Sequence, residues 1–173
     1  MADVLFCSKD DVVRKSTILS GSIDSDKIIP AMHLAQTQYL REIIGTDLYN
    51  KFSTDITALI NSGTTFPATY KALLEDYVKP ILVHLTVHEF LKTAHVTVSN
   101  KGVFKHTSEA SSDVSETELK SLIQVARDRA ESYTQRLLDY MAFNAAGNFP
   151  EWFSNSNADV SPLYESYTID WVL

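Results

Sequence analysis

The sequence predicts an all-α fold: a bundle of about four main helices with a long loop and an extended C-terminal tail. Two observations carry this expectation. Apolar residues recur at helical spacing in four separate segments, and helix-capping and helix-breaking residues fall between those segments. The strongest of the four runs from Tyr70 to Val98. In it Val83, Val87, Phe90 and Ala94 form one apolar stripe, and Tyr77, Ile81, His84, His88, Leu91 and His95 form a second beside it. Leu74, Val78, Leu82 and Leu85 fill much of the remaining circumference. A helix that is apolar nearly all round is covered by neighbours on several sides, so this one is expected at the centre.

The other elements follow in chain order. Val4, Leu5 and Phe6 make an apolar triplet too short for a helix, read as a strand or a docking arm. Ser8 with Asp11 forms an N-cap and acidic first turn, opening a short helix to about Leu19. A second helix starts near Asp24 or Ser25, carries Pro30 in its first turns and ends before Gly45, a natural C′ residue. Its expected buried face is Ile28, Met32, Ala35, Tyr39 and Ile43, widened by Ile29, Leu40 and Ile44. Thr46 is then expected to cap a third helix with the stripe Leu48, Phe52, Ile56 and Leu59, closed by Asn61-Ser62-Gly63. Pro80 interrupts the central helix, where the missing N–H predicts a kink or a break. Ser99 to Ser115 reads as a long polar loop with a short hairpin around Gly102. Ser115 and Glu118 make a capping box that opens the last long helix, through Met141. Its buried face is expected to be Leu119, Leu122, Ala126, Ala130, Tyr133, Leu137 and Met141.

Composition bounds the function classes. A chain of 173 residues with 45% hydrophobic and 21% charged residues suits one globular domain, and no apolar run approaches a membrane span. The N-terminus lacks the basic and hydrophobic regions of a secretion signal, which predicts intracellular synthesis. The formal net charge of −7 argues against a protein that grips nucleic acid through its phosphates. Arg127 and Arg129, interrupted by Asp128 and Glu131, read as a solvated mixed-charge helix face.

Candidate chemistry is sparse. His84 and His88 stand at i and i+4 and suit a zinc pair, with Glu89 adjoining. His95 is too far along a straight helix to join them, and the zinc-protease order, with glutamate directly after the first histidine, is not met. The pairs Asp10/Asp11 and Asp24/Asp26 are explained by helix dipoles. Cys7, the single cysteine, has no histidine near it in sequence and reads as a structural thiol. Neither a phosphate loop nor a nucleophile elbow is present. The sequence therefore predicts no enzyme, no cofactor, no metal and no catalytic residues.

The tail stands apart. The chain divides into a helical domain over residues 1–149 and a docking tail over 150–173. Although it lacks helical periodicity, the tail holds Trp152, Phe153, Tyr164, Tyr167 and Trp171, with Ile169 among its aliphatic residues. Disordered tails are poor in aromatics, whereas interfaces are rich in them. These six residues are the candidate interface: Trp152 and Phe153 are expected to anchor on the chain's own bundle. From Tyr164 onward the tail is expected to reach a neighbour.

Three runs also resemble a known family. AMHLAQTQYLREIIGTDLYNKF (Ala31 to Phe52), VTVSNKGVFKHTSEASS (Val96 to Ser112) and RAESYTQRLLDYMAFNAAGNFPEW (Arg129 to Trp152) resemble, in order, stretches of small head-to-tail connector, or neck adaptor, proteins of tailed phages and prophages of Bacteroidetes. The resemblance implies a structural virion protein without catalytic residues. Its subunits would form a homo-oligomeric, dodecameric ring between capsid and tail, bound to the portal and to tail or neck proteins. DNA would pass through the ring without specific binding. Two alternatives from other classes remain: a helical metalloprotein or enzyme using His84 and His88, and a monomeric host-interaction protein.

Overall fold

The computed structural model describes residues 4–19, 23–94, 96–99, 102–105, 115–156 and 158–164, the two four-residue stretches by their backbone alone. The fold is all-α, with one small hairpin inserted. Helix α1 (Lys9–Lys15) is opened by a capping box in which the Ser8 side chain accepts from Asp11 N–H and Asp11 accepts from Ser8 N–H. It ends four residues before the expected Leu19, because the Ser16 hydroxyl takes up the N–H groups of Ile18 and Leu19 instead.

Next comes a continuous helical stretch in three parts. Helix α2 (Ser25–Leu34), capped by Asp24, runs into a π-helical segment (Ala35–Leu40) and on into α3 (Arg41–Ile44). The π turn corrects the expected face. A π turn holds one residue more than an α turn, so the deep positions slip by one beyond it. Ile28, Met32 and Ala35 are buried as expected, but Leu40 and Ile44 then take the deepest places, while Tyr39 and Ile43 are only partly covered. Ile29 faces outward.

Helix α4 (Thr46–Ser62) follows Gly45 and stops at Gly63, whose left-handed φ of 64° closes it. Leu48, Phe52 and Ile56 are buried, but Leu59 is exposed. Thr46 is the first helical residue rather than the cap. Its N–H is taken by the carbonyl of Val160, 114 positions along the chain, at 2.9 Å.

The central helix is α5 (Ala68–Leu73), a π-helical segment (Leu74–Val78) and α6 (Lys79–Thr93). The discontinuity expected at Pro80 is thus a π turn directly before it, with Lys79 N–H bonded back to the Leu74 carbonyl. A widened turn removes the need for an N–H at Pro80 to complete the α ladder. Every residue from Ile81 to Glu89 is buried, as a helix packed by α7, α2 and α1 on different sides requires. Phe90, expected in the core, is only partly buried.

The central helix ends at Thr93, short of the expected Val98. The β-branched run beyond it becomes strand β1 (Val96–Ser99), antiparallel to β2 (Gly102–Lys105) with Ser99 opposite Gly102. Helix α7 (Glu116–Asn148) begins with the Ser115/Glu118 capping box and runs well past the expected Met141, through Gly147. Ala126, Ala130, Leu137 and Met141 are buried, while Leu119, Leu122 and Tyr133 are partly covered. Phe149 ends it, fully buried, and a 3₁₀ turn (Pro150–Trp152) follows.

The amino-terminal triplet is an arm docked on the chain's own core. Buried Gln36 holds it: its Oε1 accepts from Phe6 N–H, and its Nε2 donates to the Val4 carbonyl, both at 2.8 Å. The Phe6 ring then sits 4.9 Å from Tyr49 and 5.9 Å from Phe52.

Candidate interaction surface at the carboxy-terminal clasp

Past the 3₁₀ turn the chain doubles back across the corner between α3 and α4. Three kinds of contact hold it there. Backbone bonds join Thr46 N–H to the Val160 carbonyl and Leu163 N–H to the Ile43 carbonyl at 3.1 Å. Asp47, in the first turn of α4, accepts from Ser154 Oγ at 2.6 Å, Ser156 N–H at 2.9 Å and Ser156 Oγ. Arg41 pairs with Asp159 at 2.6 Å across an exposed surface. Gly45 makes the fit possible. Its φ of 77° and ψ of 161° suit glycine, and a Cβ there would lie 2.6–2.8 Å from the ring of Pro162.

This clasp redraws the division between domain and tail. Residues 150–156 and 158–163 are held to the helical body, and Trp152, 3% exposed, belongs to the core. Tyr70 reinforces the junction by donating its phenol to Glu151 Oε2 at 2.6 Å. Burial first, then the Glu151 carboxylate, pushes the phenol's pKa above its usual range.

The six candidate interface residues separate accordingly. Trp152 anchors the tail on its own bundle, as expected. Phe153 does not: it is 58% exposed. Tyr164, 56% exposed, is tied inward at one end, its hydroxyl donating to the Trp152 carbonyl at 2.9 Å and its ring meeting the Trp152 ring edge-on at 6.0 Å. Tyr167, Ile169 and Trp171 lie outside the described residues. Phe153 and Tyr164 are thus exposed aromatics, one following Trp152 in the chain and one set edge-on against it. A third exposed ring, Phe143 on α7, is 88% exposed. Its place between Ala142 and Asn144 gives no sequence signal beyond falling off the α7 stripe.

The histidine face of α6 is built into the packing. His84 stacks on Tyr133 with ring centroids 5.4 Å apart. Burial, and then the charge of Arg129, lower its pKa. His88 Nδ1 lies 3.2 Å from the Ile123 carbonyl, and its Nε2 lies 3.7 Å from Glu89. Glu89 in turn accepts from Tyr39 at 2.8 Å and pairs with Lys92 at 2.6 Å. His95 lies outside the described residues. Among the described residues, no three His, Cys, Asp or Glu side chains are grouped to hold a metal ion. Cys7 is buried in the core, and burial first, then nearby Asp11, pushes its thiol up to about 12, far from a thiolate nucleophile. No helix among the described residues is long and apolar enough to cross a membrane.

What the fold and the clasp define is a helical domain closed by its own returning tail. The chain belongs to the DUF6712 family, a family of unknown function, whose pattern matches residues 40–162. That span opens at Leu40 in the α2–α3 stretch and closes at Pro162 against Gly45, so it includes both sides of the clasp. No curated protein and no solved structure matches the chain.

Proposed function

We propose that this protein is a structural, non-catalytic subunit of a tailed-phage neck. In this reading it is a head-to-tail connector that forms a ring, dodecameric in the virion, between portal and tail, with DNA passing through. The observation that carries the reading is the clasp. It fixes the root of an aromatic tail on the body and leaves Phe153 and Tyr164 exposed beside Trp152, where a neighbouring subunit or neck protein can cover them. Aromatic groups held rigidly at low entropic cost are what an assembly contact uses. Two further features support it. The three connector-like runs fall on α2 to α4, on the hairpin, and on α7 through the 3₁₀ turn, which together frame the fold. The net charge of −7 suits a pore that DNA traverses without sticking.

A closed ring needs a heterologous contact, one face of a subunit against a different face of the next. The test is to image virions and to mix the purified chain with the portal protein. Rings on the portal support the reading; absence of the chain from purified virions refutes it. Phe153→Ser should leave the melting temperature within about 2 °C of the parent, since exposed positions shift stability by less than about 0.5 kcal/mol, yet block ring formation. Rings that form normally with Phe153→Ser would remove the clasp from the interface.

A further inference from the structure

The clearest unassigned feature is lined by none of the clasp residues. A cleft of about 310 Å³ opens between the end of α1, the middle of α6 and the middle of α7. Its walls are Lys15, Thr17, His84, Arg129, Ser132 and Tyr133. Two permanent cations, an imidazole and three hydroxyls line it, and no carboxylate does. In a chain of net charge −7 that is a local reversal of sign.

Two nearby acids, Asp128 and Glu131, are engaged elsewhere, and the third, Asp11, is shared between Lys15 and Lys79. Asp128 accepts from Gln124, and Glu131 pairs with Arg127 at 2.8 Å, both on the exposed face of α7. Asp11 stands 3.7 Å from Lys15 but also 3.5 Å from Lys79, and accepts from Ser8. Arg129 donates to the Thr17 hydroxyl and has no carboxylate partner among the described residues. That one bond holds the guanidinium at the cleft wall and leaves most of its five donors free. His84, 6% exposed, is the cleft's buried wall, and its Nδ1 has no hydrogen-bond partner among the described residues. A buried imidazole nitrogen without a partner, beside an arginine without a counter-ion, leaves polar groups at the cleft that an anion's charge would favour.

We infer that this cleft is a binding site for a single oxyanion group, a phosphoryl or carboxylate, held by Arg129 and Lys15 with the hydroxyls of Thr17, Ser132 and Tyr133 at its rim. The chemistry fits the residue types. A guanidinium presents paired N–H donors that match two oxygens of either group, and a lysine adds a mobile charge. The volume is at the small end for ligand sites, room for one such group with a short stem. The inference is independent of the connector reading, and either can fail alone.

The probes are inorganic phosphate and acetate, each titrated into the full chain at fixed ionic strength, with sodium chloride as control. Amide and histidine NMR shifts are followed. Saturable shifts confined to residues around Lys15, His84 and Arg129 are expected, at least tenfold weaker in Arg129→Gln and in Lys15→Gln. Arg127→Gln should bind as the parent does, because that guanidinium is already paired outside the cleft. Saturation by phosphate alone assigns a phosphoryl group; saturation by acetate alone, or by both, assigns a carboxylate or a general oxyanion. Shifts that are linear, match chloride, or survive in a folded Arg129→Gln or Lys15→Gln protein overturn the site. Should Arg129→Gln melt early, Lys15→Gln, altered at an exposed side chain, decides the matter by itself.

Discussion

Gly45→Ala should be among the most damaging single-methyl additions in this chain. Two costs arise together. The backbone at φ 77° and ψ 161° lies in a region that non-glycine residues occupy only at about 1–3 kcal/mol. The new methyl would also sit 2.6 Å from Pro162 Cδ, 2.7 Å from Cγ and 2.8 Å from the backbone nitrogen. The third contact matters most, since a ring can pucker away but a backbone atom in a hydrogen-bonded clasp cannot. Overpacking of this kind costs about 1–3 kcal/mol more. Release of the clasp sets a limit on that second cost. If the tail lets go, the protein loses the Thr46–Val160 and Leu163–Ile43 bonds, at roughly 1 kcal/mol each, instead of suffering the clash. The expected loss is therefore about 2–5 kcal/mol, a fall in melting temperature of roughly 5–15 °C for a chain of this size. Urea denaturation of Gly45→Ala, Pro162→Ala and the double variant measures it. Removing the proline ring deletes two of the three close contacts, so the double variant should be less destabilised than the two singles added together. A Gly45→Ala protein within 0.5 kcal/mol of the parent, or strict additivity in the cycle, would refute the close fit.

Other consequences follow from the same geometry. Phe52→Ala, at a fully buried ring packed edge-on against Phe6 and Tyr70, should cost about 3–5 kcal/mol in urea denaturation, and Phe90→Ala, at a half-covered ring, clearly less. Asp47→Ala removes the acceptor for Ser154 and Ser156 and should speed proteolysis within residues 154–163 with little change in helical circular dichroism. Burial alone would raise the Glu89 carboxyl, but bonds from Lys92 and Tyr39 and the nearby charges outweigh it and hold the pKa below the usual value. Its stabilising contribution is thus complete above the unfolded pKa of about 4.3 and lost as pH falls through the folded one, so Glu89→Gln should flatten the acid limb of a stability-versus-pH curve. An unchanged slope would mean the Tyr39–Glu89–Lys92 network is not formed in solution.

Most of the helical body was legible because periodicity and caps are local. Ser8 with Asp11 and Ser115 with Glu118 announced helix starts that the structure places within a residue. Gly63 announced a stop in the same way. The errors have physical causes of their own. A stripe analysis assumes a constant 100° per residue, and the π segments at Ala35–Leu40 and Leu74–Val78 break that assumption, so Leu40 and Ile44 displaced Tyr39 and Ile43 from the deepest positions. Val96, Thr97 and Val98 continued the apolar pattern of α6, but β-branched side chains in succession favour extended backbone, and pairing with Gly102–Lys105 decided the outcome. The oxyanion cleft could not be read at all: its residues come from three elements, and in sequence Arg129 looks like any solvated arginine.

The clasp was half legible, and the missing half bears on how the chain would assemble. Aromatic enrichment after Pro150 marked a segment whose described part docks on the chain's own body, but it did not separate rings that bury from rings that stay out. That separation depends on contacts across more than 100 positions: Asp47 with Ser154 and Ser156, Ile43 with Leu163, Gly45 with Pro162. These contacts place Trp152 inside and turn Phe153 and Tyr164 outward from the same anchor. Because the anchor is hydrogen-bonded to the α3–α4 corner and packed against Gly45, a strain at either is expected to be felt at the other. A partner that covers Phe153 and Tyr164 would add to the stability of the corner, and a change at Gly45 would weaken that partner's hold without touching it. This coupling would distinguish a docked tail, with its exposed rings set on the body, from a loose one.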